Sequence, residues 1–124
     1  MNKDRVREAV QTIEAPEQHV AVSDAVRSHA MRLIDFSKNY ANVFTYASVT
    51  TGGNGTIMIV WGADDFLATI DIGVNTYTAS VMESVTYERL MGFSCHNVDS
   101  DITRFYETVS NMTDYTNNKR NRKQ

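Results

Sequence analysis

Residues 43–82 read VFTYASVTTGGNGTIMIVWGADDFLATIDIGVNTYTASVM, and this stretch decides the fold. Glycine, asparagine and aspartate cluster at three places in it, residues 51–55, 62–65 and 73–75. These residue types favour tight reversals, because they accept positive φ or bond to nearby backbone. What remains is four runs of ordinary strand length, at residues 43–50, 56–61, 66–72 and 76–82. The stretch therefore predicts an antiparallel meander of at least four strands.

The four runs differ in how their apolar residues alternate. Residues 66–72 and 76–82 place apolar side chains at every second position, which predicts one buried and one solvated face. The second run, Ile57 to Trp61, is apolar at every position and hence on both faces. We therefore expect another part of the chain, or a second copy of it, to cover the other face of this strand.

Apolar residues at three- and four-residue spacing predict helices on both sides of the meander. The N-terminal helices are expected from Lys3 to Ala15, before Pro16, and from a cap at Ser23 or Asp24 to about residue 41. A C-terminal helix is expected from a cap at Asp99 or Ser100 to Asp114. Residues 83–95 fit neither period and predict a fifth strand or irregular structure. The prediction is an α+β fold with two N-terminal helices, an antiparallel meander of four to five strands, and one C-terminal helix packed on the sheet.

The chain length of 124 residues fits one domain, which we expect at residues 1–114, followed by a mobile basic tail at 115–124. Cys95 is the only cysteine, which excludes an internal disulfide and is typical of a reducing compartment. No apolar run approaches the roughly 18 residues that a membrane span needs. We expect a cytoplasmic protein with no membrane contact.

Charge is unevenly distributed along the chain. Residues 39–118 hold nine acidic and two basic residues, a net charge of −7, whereas residues 119–124 carry +4. Such asymmetry bears on partners rather than on fold. The sheet-bearing middle of the chain is therefore the acidic part of the protein.

The residues capable of chemistry do not form a catalytic or metal-binding pattern. Cys95 and His96 are adjacent, but neighbours on a strand point to opposite faces, which favours a buried thiol beside a surface imidazole. His19, His29 and His96 match no zinc-ligand spacing. Glycines 52, 53 and 55 precede a strand rather than the helix that a phosphate loop requires. We expect no enzyme activity, no cofactor and no metal.

The apolar second strand and the acidic middle of the chain together predict a small protein-binding accessory or inhibitor module. We expect it to be a homodimer and to dock on a protein with a basic groove, as a mobile-element or phage protein does when it acts on a nucleic-acid enzyme of its host. Asp64 and Asp65 also suit a turn, because Asp bonds to nearby amides. The predicted protein-binding residues are Met58, Val60, Trp61, Asp64, Asp65 and Asp71.

Two alternatives stay open at this point. A nucleic-acid-binding accessory protein would use phosphate contacts of the basic tail, from Lys119, Arg120, Arg122 and Lys123. A small-ligand or catalytic domain would instead have a pocket between the sheet and the helices, containing Cys95, His96 or His29.

Overall fold

A computed structural model of the protein describes residues 2–37 and 40–122. The helices of this part are α1 (Asn2–Thr12), α2 (Asp24–Phe36), a 3₁₀ helix (Ala41–Tyr46) and α3 (Ser100–Arg122). The strands are β1 (Ala47–Thr51), β2 (Ile57–Gly62), β3 (Phe66–Ile72), β4 (Tyr77–Glu83) and β5 (Arg89–Cys95). The predicted α+β architecture is confirmed.

The five strands form one antiparallel sheet in the order β1-β2-β3-β4-β5. Each strand pairs with the next one along the chain, so Ile59 of β2 lies between Val49 of β1 and Ile70 of β3. The register shifts by one residue between Val81 and Met82, where β4 meets β5. A meander of this kind has short turns and no connection that crosses either face of the sheet.

One face of the sheet is the floor of the hydrophobic core. Alternate residues of β2 and β3 are fully buried there, namely Ile57, Ile59, Trp61, Phe66, Ala68, Ile70 and Ile72. Trp61 lies at the centre, with its ring centroid 5.2 Å from that of Phe105 in α3 and 6.2 Å from that of Phe44 in the 3₁₀ helix. Helices from both ends of the chain therefore cover the same face.

The helices begin where the capping residues of the sequence place them. The Ser23 hydroxyl accepts the amide of Val26 at 3.2 Å, and the Asp99 carboxylate accepts the amide of Asp101 at 2.9 Å. The expected helix ends differ from the structure: α1 ends at Thr12, and α2 ends at Phe36 instead of near residue 41. In contrast, α3 continues through Arg122 instead of ending at Asp114. Thr116 anchors the extra length of α3, because its hydroxyl donates to the Asp65 carboxylate at 2.9 Å.

The prediction of a strand from residue 43 is wrong at its start. Residues 43–46 form part of the 3₁₀ helix, and the strand begins only at Ala47. Val43 and Phe44 are both fully buried, whereas consecutive residues of a strand point to opposite faces. The Arg5 guanidinium of α1 donates to the carbonyl of Ala47 at 2.5 Å, at the junction between the helix and the strand.

Two buried tyrosines tie α2 to the rest of the core. Tyr77 of β4 donates its hydroxyl to the carbonyl of His29 at 2.8 Å, and Tyr106 of α3 donates to the carbonyl of Leu33 at 2.9 Å. Burial raises the pKa of Tyr77 to about 12 and that of Tyr106 still further. Both hydroxyls are therefore protonated donors at neutral pH.

The turn between β1 and β2 requires glycine at one position. Gly55 has φ of 82°, and a Cβ there would lie 3.0 Å from the carbonyl oxygen of Ala21 and 3.0 Å from Val20. A side chain at Gly55 is thus opposed by backbone strain and by the neighbouring loop. At Gly53, in the same turn, a Cβ would meet no atom within 4 Å.

We predict that Gly55→Ala lowers the free energy of unfolding by about 1–3 kcal/mol, because it combines a disfavoured φ with a steric contact. Gly53→Ala is the matched control and should change stability by less than about 0.5 kcal/mol. Urea denaturation followed by the fluorescence of Trp61 measures both. Equal stability of the two variants would contradict this account of the turn.

Candidate functional site

The second face of the sheet is covered by none of the described helices. We define the outer face as the residues that alternate with the buried ones: Ser48, Thr50, Met58, Val60, Gly62, Leu67, Thr69, Asp71, Thr78, Ser80, Met82, Arg89, Gly92 and Ser94. None of them is fully buried, although their neighbours in sequence on the strands mostly are. This face of the sheet therefore lacks a covering layer in the described part of the chain.

Apolar side chains form a diagonal stripe across the outer face. Met58 and Val60 come from β2, and Val60 lies beside Thr69 of β3 in the strand register. Leu67 of β3 is directly paired with Met82 of β4, and Leu67 is 39% exposed. We call these four residues the apolar stripe. The sequence analysis named Met58 and Val60 but missed Leu67 and Met82, which the alternation of their strands already places on the same face.

Hydroxyl groups occupy much of the remaining outer face and bond to one another. The hydroxyl oxygens of Thr69 and Ser80 lie 3.2 Å apart across β3 and β4. Those of Thr78 and Ser94 lie 3.3 Å apart across β4 and β5. Cross-strand pairs of this kind stabilise a solvated sheet surface. The hydrogen-bonding groups of the polar part of the face are therefore largely satisfied by bonds within the chain.

Asp71 is the exception among these polar residues. Its Oδ1 atom is shielded from solvent and has no hydrogen-bond partner in the described part of the chain. It faces the β1–β2 turn, where a Cβ added to Gly52 would lie 3.9 Å away. A shielded carboxylate oxygen without a donor is unfavourable, and a nearby cation would offset that cost.

Trp61 does not belong to this surface, and its assignment to the protein-binding set is corrected. Trp61 is 0% exposed and lies on the covered face, opposite Met58 and Val60. The period of two along a strand separates neighbouring side chains in this way. Its size and apolar character suit the core, where it packs between α3 and the 3₁₀ helix.

Asp64 and Asp65 lie in the β2–β3 turn at one end of the sheet. The Ser84 hydroxyl donates to the carbonyl of Asp64, and the Asp65 carboxylate accepts from Thr116. Glu83 and Glu88 lie in or beside the β4–β5 connection at the same end. These four carboxylates form what we call the acidic end, adjacent to Leu67 and Met82 of the apolar stripe.

Cys95 and His96 turn away from each other, as the alternation of a strand predicts. The Cys95 thiol is buried and donates to the carbonyl of Asn97 at 3.3 Å. The exposed His96 ring bonds through Nδ1 to the carbonyl of Asn75 at 2.9 Å. Burial raises the pKa of the Cys95 thiol to about 11, and the Asp99 carboxylate adds to the increase. The sulfur is thus a neutral thiol at neutral pH rather than an activated nucleophile.

In residues 2–37 and 40–122, no three histidine, cysteine or carboxylate groups converge in a way that could hold a metal ion. His29 instead has a structural role, because its ring stacks on Tyr77 with 3.8 Å between centroids. The other histidine of the predicted set, His19, lies exposed in the loop between α1 and α2.

The predicted nucleic-acid contacts fall at the end of α3. The backbone of residues 119–122 continues this helix, while the side chains of Lys119, Arg120 and Arg122, and all of Lys123, lie outside the described residues. Nucleic-acid binding by these residues stays a prediction.

Neither a family model, nor a curated protein, nor a solved structure showed a significant match to the chain. Among the described residues, the helices are all too short or too polar to cross a bilayer.

We predict that Cys95 of the folded protein is alkylated about 100-fold more slowly than in the urea-unfolded chain near pH 8, since its pKa is about 11 instead of the ordinary 9.0. The folded rate should keep rising above pH 9, where the unfolded thiol levels off. Because the folded state favours the neutral thiol, this contribution to stability is complete below pH 9 and is lost as the pH rises toward 11. Iodoacetamide labelling followed by mass spectrometry measures the rates, and equal rates at pH 8 would contradict the prediction.

Proposed function

We propose that the protein is a non-enzymatic protein-binding module that docks through the outer face on a partner surface with an apolar centre and a basic rim. The observation that carries the proposal is the uncovered outer face, with the apolar stripe at its centre and the under-compensated Asp71 carboxylate within it. Each part of this surface favours a particular feature of the partner.

The apolar stripe supplies the hydrophobic part of the interface. Burying one such side chain completely contributes about 1.5–3 kcal/mol, and these four are already partly shielded, so together they contribute a few kcal/mol. Contiguous apolar surface on a protein commonly marks an interaction site. A flat sheet face holds the four side chains in place before binding, which reduces the entropy lost on association.

Charge favours a basic partner. On the outer face the charges of Asp71 and Arg89 cancel, but the acidic end borders this face and residues 39–118 carry −7 overall. Complementary charge accelerates association and selects among partners of similar shape. A lysine or arginine of the partner beside Asp71 would also compensate the carboxylate whose Oδ1 lacks a donor.

A second copy of the chain fits the outer face less well than a basic partner does. Stacking two outer faces about a two-fold axis brings two acidic bodies toward each other. A larger partner with a groove also contacts the acidic end, which adds area. The homodimer stays a prediction from the sequence and is one outcome of the experiment below.

The accessory or inhibitory role follows from the partner's chemistry. A basic groove with apolar side chains is the kind of surface with which an enzyme holds a nucleic-acid strand. A protein docked there would exclude the strand by occupying the same cations. We therefore include inhibition of a nucleic-acid enzyme in the proposal.

We predict that Leu67→Lys abolishes partner capture from an extract of the producing cells while leaving the thermal unfolding midpoint nearly unchanged. Leu67 is 39% exposed, so the lysine is tolerated in the free protein but places a charge in the apolar part of the interface. Val20→Lys is the control, because Val20 is 59% exposed in the loop before α2 and belongs neither to the apolar stripe nor to the acidic end. Affinity capture with quantitative mass spectrometry measures the loss.

Two further measurements decide whether the captured protein occupies the proposed surface. Hydrogen exchange should show protection of β2 and β3 on binding, and capture should weaken as salt rises, because the contact is partly ionic. Equal capture by the wild type and Leu67→Lys would overturn the proposal. So would a stable dimer in light scattering whose outer face is protected in the absence of any other protein.

A further inference from the structure

A cleft on the helix side of the molecule brings together cationic and polar side chains from distant parts of the chain. Its volume is about 520 Å³, and its polar lining consists of Ser28, His29 and Arg32 from α2, Asn75 from the β3–β4 turn, and His96 and Asn97 after β5. It lies at the opposite end of the sheet from the acidic end. No acidic side chain lines it within the described residues.

The two imidazoles of the cleft are held in the same way. His29 bonds through Nδ1 to the carbonyl of Gly73 at 2.8 Å, and His96 bonds through Nδ1 to the carbonyl of Asn75 at 2.9 Å. Because a carbonyl oxygen only accepts, Nδ1 carries the proton in each ring. Nε2 is then the atom of each ring that can bind a ligand. Neither Nε2 atom is hydrogen-bonded to another described residue.

The His29 ring is also held in position by Tyr77 of β4. The two rings stack, and the Tyr77 hydroxyl donates to the His29 carbonyl at 2.8 Å. The Gly73 carbonyl that orients the ring belongs to the same turn as Asn75, which orients His96. One short turn thus positions both imidazoles, so the arrangement exists before any ligand arrives.

Arg32 adds a permanent positive charge to the two rings. It lies one helical turn after His29 on α2, and its guanidinium forms no hydrogen bond or ion pair with the described residues. Two neighbouring carboxylates are already engaged: Asp35, on α2 itself, pairs with Arg7, and Asp99 accepts amides at the start of α3. Arg32 is therefore free to pair with an anion that enters the cleft.

We propose that this cleft binds the phosphate group of a small phosphorylated molecule. A guanidinium pairs with two oxygens of an oxyanion, and a tetrahedral phosphate has further oxygens that face the imidazoles, which a planar carboxylate lacks. Each Nε2 accepts the proton of a phosphate hydroxyl or, in an imidazolium, donates to a phosphate oxygen. The amides of Asn75 and Asn97 provide additional donors at the rim.

The size and charge of the surroundings favour a small ligand over a nucleic-acid strand. A volume of about 520 Å³ exceeds that of a bare phosphate and falls in the range of small-molecule pockets. A strand would extend from the cleft across a body that carries −7 over residues 39–118 and would be repelled. A single phosphate group is affected less, since charges beyond about 8 Å are screened at physiological salt.

Titration of the full chain with inorganic phosphate, adenosine monophosphate and adenosine, followed by amide and imidazole NMR signals, tests the proposal. We expect both phosphate compounds, but not adenosine, to shift the signals of His29, Arg32 and His96 in a saturable way. Arg32→Gln should weaken phosphate binding about tenfold or more, because it removes a charge-assisted pair from an exposed position. Arg104→Gln is the matched control, as Arg104 is exposed on α3 outside the cleft.

A second pair of variants separates the imidazole contribution from general charge. His96→Gln should weaken binding, whereas His19→Gln should not, because His19 lies in the loop before α2 and not in the cleft. The absence of saturable shifts at phosphate concentrations up to about 50 mM would overturn the proposal. Equal weakening by Arg32→Gln and Arg104→Gln, or tighter binding of a single-stranded oligonucleotide than of adenosine monophosphate at these residues, would also overturn it.

Discussion

The structure depends on the burial of one face of the sheet by segments that lie outside the meander in sequence. Consecutive antiparallel strands joined by short turns leave no chain over either face, so only the residues before β1 and after β5 are long enough to form a cover. α1, α2 and α3 all pack on the side of Trp61, where the large aromatic side chains lie. The outer face is left without a layer because the covering segments of the described chain are used on the other side.

This one-sidedness gives the two faces different physical roles. The covered face stabilises the fold through buried aromatic and branched side chains, which release water and pack closely. The outer face contributes through cross-strand hydroxyl pairs and keeps an apolar stripe beside a poorly compensated carboxylate. On the helical side, a cleft lies between α2 and the β3–β4 turn. A protein partner and a small anion can therefore be considered for separate surfaces of one small domain.

Local patterns in the sequence predicted the parts of the fold that depend on neighbouring residues. The glycine-rich turns, the caps at Ser23 and Asp99, and the alternation of β3 and β4 were read correctly. Errors occurred where a distant contact decides the outcome. The chain at Val43 and Phe44 forms a 3₁₀ helix because both side chains enter the core, and α3 extends past Asp114 because Thr116 bonds to Asp65. The grouping of Trp61 with Met58 and Val60 is a different kind of error, because the alternation along β2 already places Trp61 on the opposite face; only the choice of the covered face required the packing of the helices.

Periodicity and turn chemistry were sufficient for the α+β class and the meander, because both arise from interactions between residues close in the chain. They also divided each strand into two faces. The choice of the covered face, and hence the position of the outer face and of Asp71 within it, required the packing of α2 and α3. The same holds for the cleft: His29 and Arg32 lie one turn apart on α2, but His96 is distant in sequence and joins them where the β3–β4 turn offers both imidazoles a backbone carbonyl. Contacts between distant residues carry no local signature, and in this protein they determine where the candidate sites lie.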